Sequence, residues 1–400
     1  MPVEAIYQHV ARHIHRLLGQ SLSGQTLPKP SVKRLILMIL GMMAAKSCAP
    51  AHIALILEQM GLGNKDSLER RLRRTQSDPK IDQQTCFHPM ARWHLNRANT
   101  ETLIIALDPT TKKDKFVMVA LSVSYRGRCL PLLWTLWPGN TSLEGDRFWQ
   151  RIKQLLDRLA TLVPRTKNIV IVADRAFGTA VFTDLVQEHG WHYIVRVQDQ
   201  TRCQDDFGHE LAVRHLVRAQ HQRAKRSCRV FKKQGWRVAT VLVYWGRHAK
   251  PLCLVSSLGS HWHWLNWYRS RATIEAMFRD YKSHGWHWEQ TQVRSELHLE
   301  HLLVGMAWAT WLTVGQGVLL ARFFLSVPGS GSVHQRQKQG RLSLFTLGLS
   351  QLGRLLWQRS LCEAARSLWW SLCRPLPDWC ASEWSRQIQQ KGSREYFYAH

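Results

Sequence analysis

The spacing of apolar residues changes character along this chain. Up to about residue 98 they recur at helical intervals. An apolar helix is predicted over 32–46, and Pro50 opens a second over 51–60. Gly61-Leu62-Gly63 ends it, and Asp66 with Glu69 suits a capping box for a short helix over 67–75. That helix holds Arg70, Arg71, Arg73 and Arg74. Helix, Gly-containing turn and basic helix share the layout of a helix-turn-helix, which makes the four Arg candidate DNA contacts. They suit the solvated face of an ordinary helical domain equally well.

From Thr102 the period shortens. TLIIALD reads as an apolar strand ending on Asp108, with Pro109 after it. FVMVALSVSY and RCLPLLWTLW flank Arg126-Gly127 and read as a hairpin. A helix over 142–160 leads to NIVIVAD, a second apolar strand ending on an Asp, Asp174. A further helix over 179–189 leads to WHYIVRV. Three strands, helix, strand, helix is the order of an α/β, RNase H-like core.

Residues 198–260 interrupt this plan with a polar stretch, a basic stretch from Arg214 to Lys233, and the strand-like runs WRVATVLVYW and PLCLVSSL. They read as an inserted β-rich subdomain. A helix over 265–283 and an apolar helix over 297–325 follow, then a linker-like run, VPGSGSVHQRQKQG, at 327–340. The predicted organisation is an all-α N-terminal domain (1–98), a catalytic core (99–325) carrying the insertion, and a linker with a basic helical tail (326–400).

Composition narrows the partner. Lys and Arg outnumber Asp and Glu by 55 to 28, a formal charge of +27, spread along the chain. Such an excess points to a polyanion, nucleic acid first. Nineteen Trp suit base stacking as well as a core. The nine Cys form no CxxC pair, and MPVEAIYQHV has an acidic residue and no apolar run, so reduced cytosolic thiols are expected. His301–Ala321 is nearly long enough to span a bilayer. It contains Thr310, Thr313, Gln316 and three Gly, and reads as a buried core helix, with no membrane partner.

The candidate chemistry lies in YRSRATIEAMFRDYK. Tyr268, Arg271, Glu275 and Lys282 stand at offsets 0, 3, 7 and 14, within roughly 60° of one another on a straight helix. A carboxylate beside a guanidinium, an ammonium and a phenol suits a hard cation next to gripped phosphates. Glu275 also sits four residues from Arg271 and from Arg279, the spacing of ordinary helix ion pairs. Asp108 and Asp174, at the C-terminal ends of two strands, lie where α/β sheets place functional groups. With Glu275 they make an all-oxygen set suited to Mg²⁺ or Mn²⁺ rather than Zn²⁺. Arg175, beside Asp174, suits either a phosphate or a surface carboxylate. Lys112 and Lys113 suit a solvated turn, and Asp114 is a rival to Asp108 outside the apolar strand. Histidines 261, 263, 284, 287, 298 and 301 are too scattered to read as a metal cluster.

The ordered set Asp108 (in ALDPT), Asp174 (in ADRAFG) and Glu275 within Tyr-x2-Arg-x3-Glu-x6-Lys resembles the DDE transposases of the insertion-sequence four group. All four signature positions match, and the long stretch between Asp174 and Glu275 is similar to the group's β-rich insertion. The resemblance covers about 102–290. It implies that Asp108, Asp174 and Glu275 ligate two Mg²⁺ (or Mn²⁺) ions, with Tyr268, Arg271 and Lys282 on backbone phosphates. It also implies cleavage of double-stranded DNA at terminal inverted repeats, often through a hairpin, and joining of the 3′-hydroxyl ends to target DNA. A homodimer in a synaptic complex, at the nucleoid of a prokaryotic cytoplasm, is expected. So is an aromatic residue of the insertion, Trp236 or Trp245, holding a flipped base. A stand-alone RNase H-like nuclease and a non-catalytic DNA-binding repressor are the alternatives.

Overall fold

The computed structural model describes residues 27–141, 143, 145–326, 343–357 and 376. The predicted linker and most of the predicted tail lie outside the described residues. At the N-terminal side, α1 (Lys29–Ala45) and α2 (Pro50–Gln59) each begin with Pro in the first turn, where its missing N–H costs nothing. The basic helix α3 (Lys65–Gln76) starts earlier than the capping-box reading. Asn64, in extended conformation, caps it by accepting from the Asp66 N–H. Glu69 does not return to the cap; it pairs with Arg73 at 2.6 Å. Two short helices follow, α4 (Gln83–Cys86) and α5 (His88–Asn96).

The sheet then begins with β1 (Thr102–Lys112), β2 (Phe116–Tyr125) and β3 (Arg128–Pro138). Arg126 and Gly127 both have positive φ, 46° and 74°, as a two-residue hairpin turn matching the strand twist requires. Helix α6 (Asp146–Leu162) turns Ile152, Leu155, Leu156, Leu159 and Leu162 inward at helical spacing. It leads to β4 (Asn168–Ala173), whose last five residues are all buried, as in a strand covered on both faces. Helix α7 (Ala180–Gln187), capped by the Thr179 hydroxyl, returns the chain to β5 (His192–Arg196). Both β1–β4 and β4–β5 are parallel pairs. This order and these directions fit an RNase H-like core.

Strands β6 (Arg202–Gln204), β7 (Glu210–Ala212), β8 (Arg223–Val230), β9 (Arg237–Tyr244) and β10 (Leu252–Ser256) come from the predicted insertion. They extend the sheet of the core. β10 pairs antiparallel with β5, giving one ten-stranded sheet in the order β3-β2-β1-β4-β5-β10-β9-β8-β6-β7. The unpaired edge of β5 is thereby used, and the insertion shares the sheet of the core.

Helix α8 (Trp264–Arg269) carries Tyr268 and helix α9 (Ala272–Arg279) carries Glu275, with Arg271 between them and Lys282 in the π-helical turn Asp280–His284 that ends the segment. The long helix α10 (Glu296–Ser326) is apolar on all sides. By length and composition it would suffice to cross a membrane, but every residue of its apolar stretch from 301 to 318 is buried within the protein. Its indoles tie it down: Trp308 donates to the Cys86 carbonyl at 2.6 Å and Trp311 to the Pro131 carbonyl at 2.8 Å. His301 likewise bonds the Gln76 carbonyl at 2.6 Å. The N-terminal helices, the sheet, α10 and α11 (Leu344–Trp357) share one continuous hydrophobic core. All six Cys among the described residues are buried and free.

Candidate active site

Register places the two aspartates side by side. In the parallel pairing of β1 with β4, Leu107 stands opposite Ala173; Asp108 and Asp174 are the next residues of each strand. Here β1 departs from expectation, because it continues past Asp108 to Lys112 on the support of its hairpin partner β2. Pro109 is tolerated because β4 has ended beside it, leaving that stretch with one partner, where a residue without an N–H fits. Lys112, expected in a solvated turn, is instead buried at the end of β1, its ammonium donating to the Thr291 carbonyl at 2.9 Å. Lys113 does occupy the turn, at φ 48°.

The third carboxylate arrives on α9, which is pinned across the hairpin. Ser270 bonds Ser124 at 3.1 Å, Thr273 meets Cys129 at 3.0 Å, and buried Asp280 pairs with Arg128 at 3.0 Å. The straight helix expected over 265–283 is tightened between α8 and α9, where Arg271, Thr273 and Ile274 donate to the carbonyls three residues back. The hydroxyls of Ser270 and Thr273 bond the Trp267 and Ser270 carbonyls, competing with the helix ladder. The four signature side chains therefore do not form one straight stripe. Tyr268, Arg271 and Glu275 gather over the sheet; Lys282 lies half-buried in the π-helical turn.

Arg271 is the hub. Its guanidinium donates to Asp108 Oδ2 at 3.0 Å and to Glu275 Oε1 at 2.6 Å. Burial opposes its charge, but Tyr268, Asp108, Asp174 and Glu275 together hold it above the usual arginine range. Asp108 is 8% exposed. Desolvation pushes its carboxyl up to about 7, the negative charges of Asp174 and Glu275 add to this, and Arg271 opposes it. The buried phenol of Tyr268 is raised by desolvation, with Arg271 beside it.

Two contributors carry no motif. Arg196, at the end of β5, reaches Asp174 Oδ1 at 3.8 Å, an ion pair too long for a hydrogen bond. Gly178 lies in the turn after Asp174, where a Cβ would overlap the Arg196 carbonyl. Phe177 anchors that turn against Phe148 and Phe182. The sequence offers two clues: the Gly closing ADRAFG, and a charged residue, Arg196, directly after the apolar YIV of WHYIVRV.

The remaining candidates lie apart from this cluster. Arg175 is exposed in the turn following Asp174. On α3, Arg70, Arg73 and Arg74 are exposed and Arg71 is half-buried. Trp245 is half-buried against the core, its indole donating to the His248 carbonyl at 3.0 Å. Trp236 is half-buried just before β9.

Two carboxylates at neighbouring strands and one on α9 offer hard oxygen donors of the kind Mg²⁺ and Mn²⁺ prefer. Asp174 Oδ1 is buried without a hydrogen-bond partner, the condition of a ligand oxygen awaiting a cation. The donor set fits such an ion. Among the described residues, no three His, Cys, Asp or Glu converge closely enough to grip one as they stand; the Arg271 guanidinium bridges Asp108 and Glu275.

Residues 144–312 match the family model of the transposase DDE domain. That span includes Asp174 and Glu275 and supports a DDE transposase. No curated protein matches the chain. Among solved structures, the chain is similar to the piggyBac transposase of a synaptic complex with hairpin DNA, at 9% identity and a TM-score of 0.43, over 94% of this chain and 83% of that one.

Proposed function

We propose that this chain is a DDE transposase of the insertion-sequence four group, which cuts DNA at the terminal inverted repeats of its own element and joins the 3′-hydroxyl ends to target DNA. The observation that carries this reading is the Arg271 guanidinium bridging Asp108 and Glu275, with Asp174 beside Asp108 by the register of β4 on β1. The match to the transposase DDE domain supports it. Asp108, Asp174 and Glu275 would hold two Mg²⁺ or Mn²⁺ ions. Bound there, such ions activate the attacking water or 3′-hydroxyl and stabilise the leaving oxygen.

The chain's own residues do the rest. Arg271 offers a planar fork of donors that suits a phosphate as well as it suits the carboxylates it now bridges. A DNA phosphate arriving at the site competes for that fork and frees Asp108 and Glu275. Lys282 and Arg175 supply further positive charge for the backbone, and Tyr268 props the guanidinium. The exposed Arg of α3 provides a second contact surface for end recognition. The enzyme acts as a homodimer that holds two ends together in the prokaryotic cytoplasm.

Strand transfer tests this reading. Purified protein, a duplex ending in the flanking repeats of its gene, and a supercoiled target are incubated with Mg²⁺. Joined products are expected; cleavage without joining would reduce the protein to a nuclease.

A further inference from the structure

The sheet carries the row of site residues into a surface that the site's chemistry leaves unused. Arg196 on β5 pairs with Leu254 on β10, Leu254 with Leu242 on β9, and Leu242 with Lys225 on β8. Extending the β1–β4 and β4–β5 registers by one residue brings Asp108 and Asp174 into the same row. Residues paired in register project from one face of a sheet. Five inter-strand spacings of about 4.8 Å put Lys225 roughly 24 Å along the sheet from Asp108.

β8 presents that face as a cationic ladder. Arg223, Lys225, Ser227 and Arg229 alternate along the strand and all are exposed. On the opposite face Cys228 and Val230 are buried, and Arg226 reaches Asp205 at 3.8 Å. Arg223 lies over the Trp262 ring at 4.8 Å, and the Lys225 ammonium lies 5.8 Å from the same ring and donates to the Ser260 carbonyl at 2.7 Å. Their cross-strand partners on β9 are Tyr244, Leu242, Thr240 and Val238, none of them acidic. Among the described residues no carboxylate pairs with Arg223, Lys225 or Arg229.

One structural role is available. β8 meets β6 only through Arg229 and Val230, so its first part is a sheet edge, and Lys or Arg commonly guard such edges. Guarding an edge requires neither a shared aromatic seat for two cations nor alignment with the catalytic carboxylates. A polyanion that leaves the site, passes above the buried Leu254 and Leu242 of the same row and meets the exposed cations of β8 accounts for both. At about 3.4 Å per base pair, roughly 24 Å is about seven base pairs of duplex.

We infer that Arg223, Lys225 and Arg229 form a phosphate track for the double-stranded DNA arm leaving the active site, which they engage about seven base pairs from the reacting phosphate. This rests on the DNA-processing reading above.

The test uses the full chain and a duplex of roughly 30 base pairs, long enough to reach from the site to β8. Affinity is measured as a function of salt for wild type, for Arg223→Gln/Lys225→Gln/Arg229→Gln, and for Arg226→Gln on the opposite face. Far-UV circular dichroism checks that each variant is folded. Each lost phosphate contact lowers the slope of log K against log salt by about 0.9. The triple variant should therefore be shallower by about 2–3, with Arg226→Gln close to wild type. A wild-type slope in the folded triple variant, or an equal loss in Arg226→Gln, would overturn the track and leave edge protection. A wild type that binds no duplex at low salt would instead remove the proposed function.

Discussion

Arg271 holds Asp108 at 3.0 Å and, through its other terminal nitrogen, Glu275 at 2.6 Å. A residue expected to face DNA thus also organises the carboxylates, and the two roles are mutually exclusive in time. Replacement by Lys keeps the charge but loses the fork. Arg271→Lys should lower cleavage at least tenfold and Arg271→Ala should also lower the unfolding midpoint, because it leaves buried Asp108 unpaired, a loss of about 3–5 kcal/mol for a buried pair. Full cleavage activity in Arg271→Lys would show that the fork is dispensable.

The raised Asp108 carboxyl, at about 7, makes a signed prediction for the DNA-free, metal-free protein. In the unfolded chain an Asp titrates near 4. Between those values the folded state binds the extra proton, so stability is full below about pH 4 and is lost as pH rises through about 7. Asp108→Asn should abolish that decline, read by denaturant unfolding across the range. A wild type whose stability rises over the same interval, with the Asn variant parallel to it, would contradict the assignment.

Gly178 makes room for the Arg196 carbonyl behind the turn that follows Asp174. Gly178→Ala should push that turn off β5, costing about 1–3 kcal/mol from overpacking and reducing cleavage more than DNA affinity. Unchanged thermal stability would mean that the close approach is not maintained in solution.

Asp280 is buried against Arg128, and desolvation pushes its carboxyl up to about 6. The pair fastens the end of α9 to the start of β3. Arg128→Met should destabilise the protein by about 3–5 kcal/mol, and Arg128→Met/Asp280→Leu should recover most of that loss. A double variant as unstable as the single one would argue that the pair is not what anchors α9.

Much of the core was legible because its signals are local. An apolar run bounded by Asp174 has few fates other than a buried strand, and Arg126-Gly127 between two apolar runs specifies a turn. The register joining Asp108 to Asp174 was not legible, since it depends on where the ladder between β1 and β4 begins. β8 is hard to read as a strand because Arg226 breaks the apolar face of Ala224, Cys228 and Val230 in RAKRSCRV, which leaves a basic stretch. Nothing in PLCLVSSL announces that this strand of the insertion pairs with β5. Arg196 became visible as part of the site only once β5 was laid beside β4.

If the proposed function holds, Asp108, Asp174 and Glu275 cut DNA with a divalent ion. Duplexes carrying the flanks of this gene are incubated with wild type and Glu275→Ala, in Mg²⁺ and in EDTA, with binding measured in parallel. Cleavage at the repeat tips is predicted for wild type in Mg²⁺ alone, with Glu275→Ala folded, bound to DNA and inert. Cleavage that survives in EDTA or in the Glu275→Ala protein would mean that these carboxylates do not hold the catalytic ion.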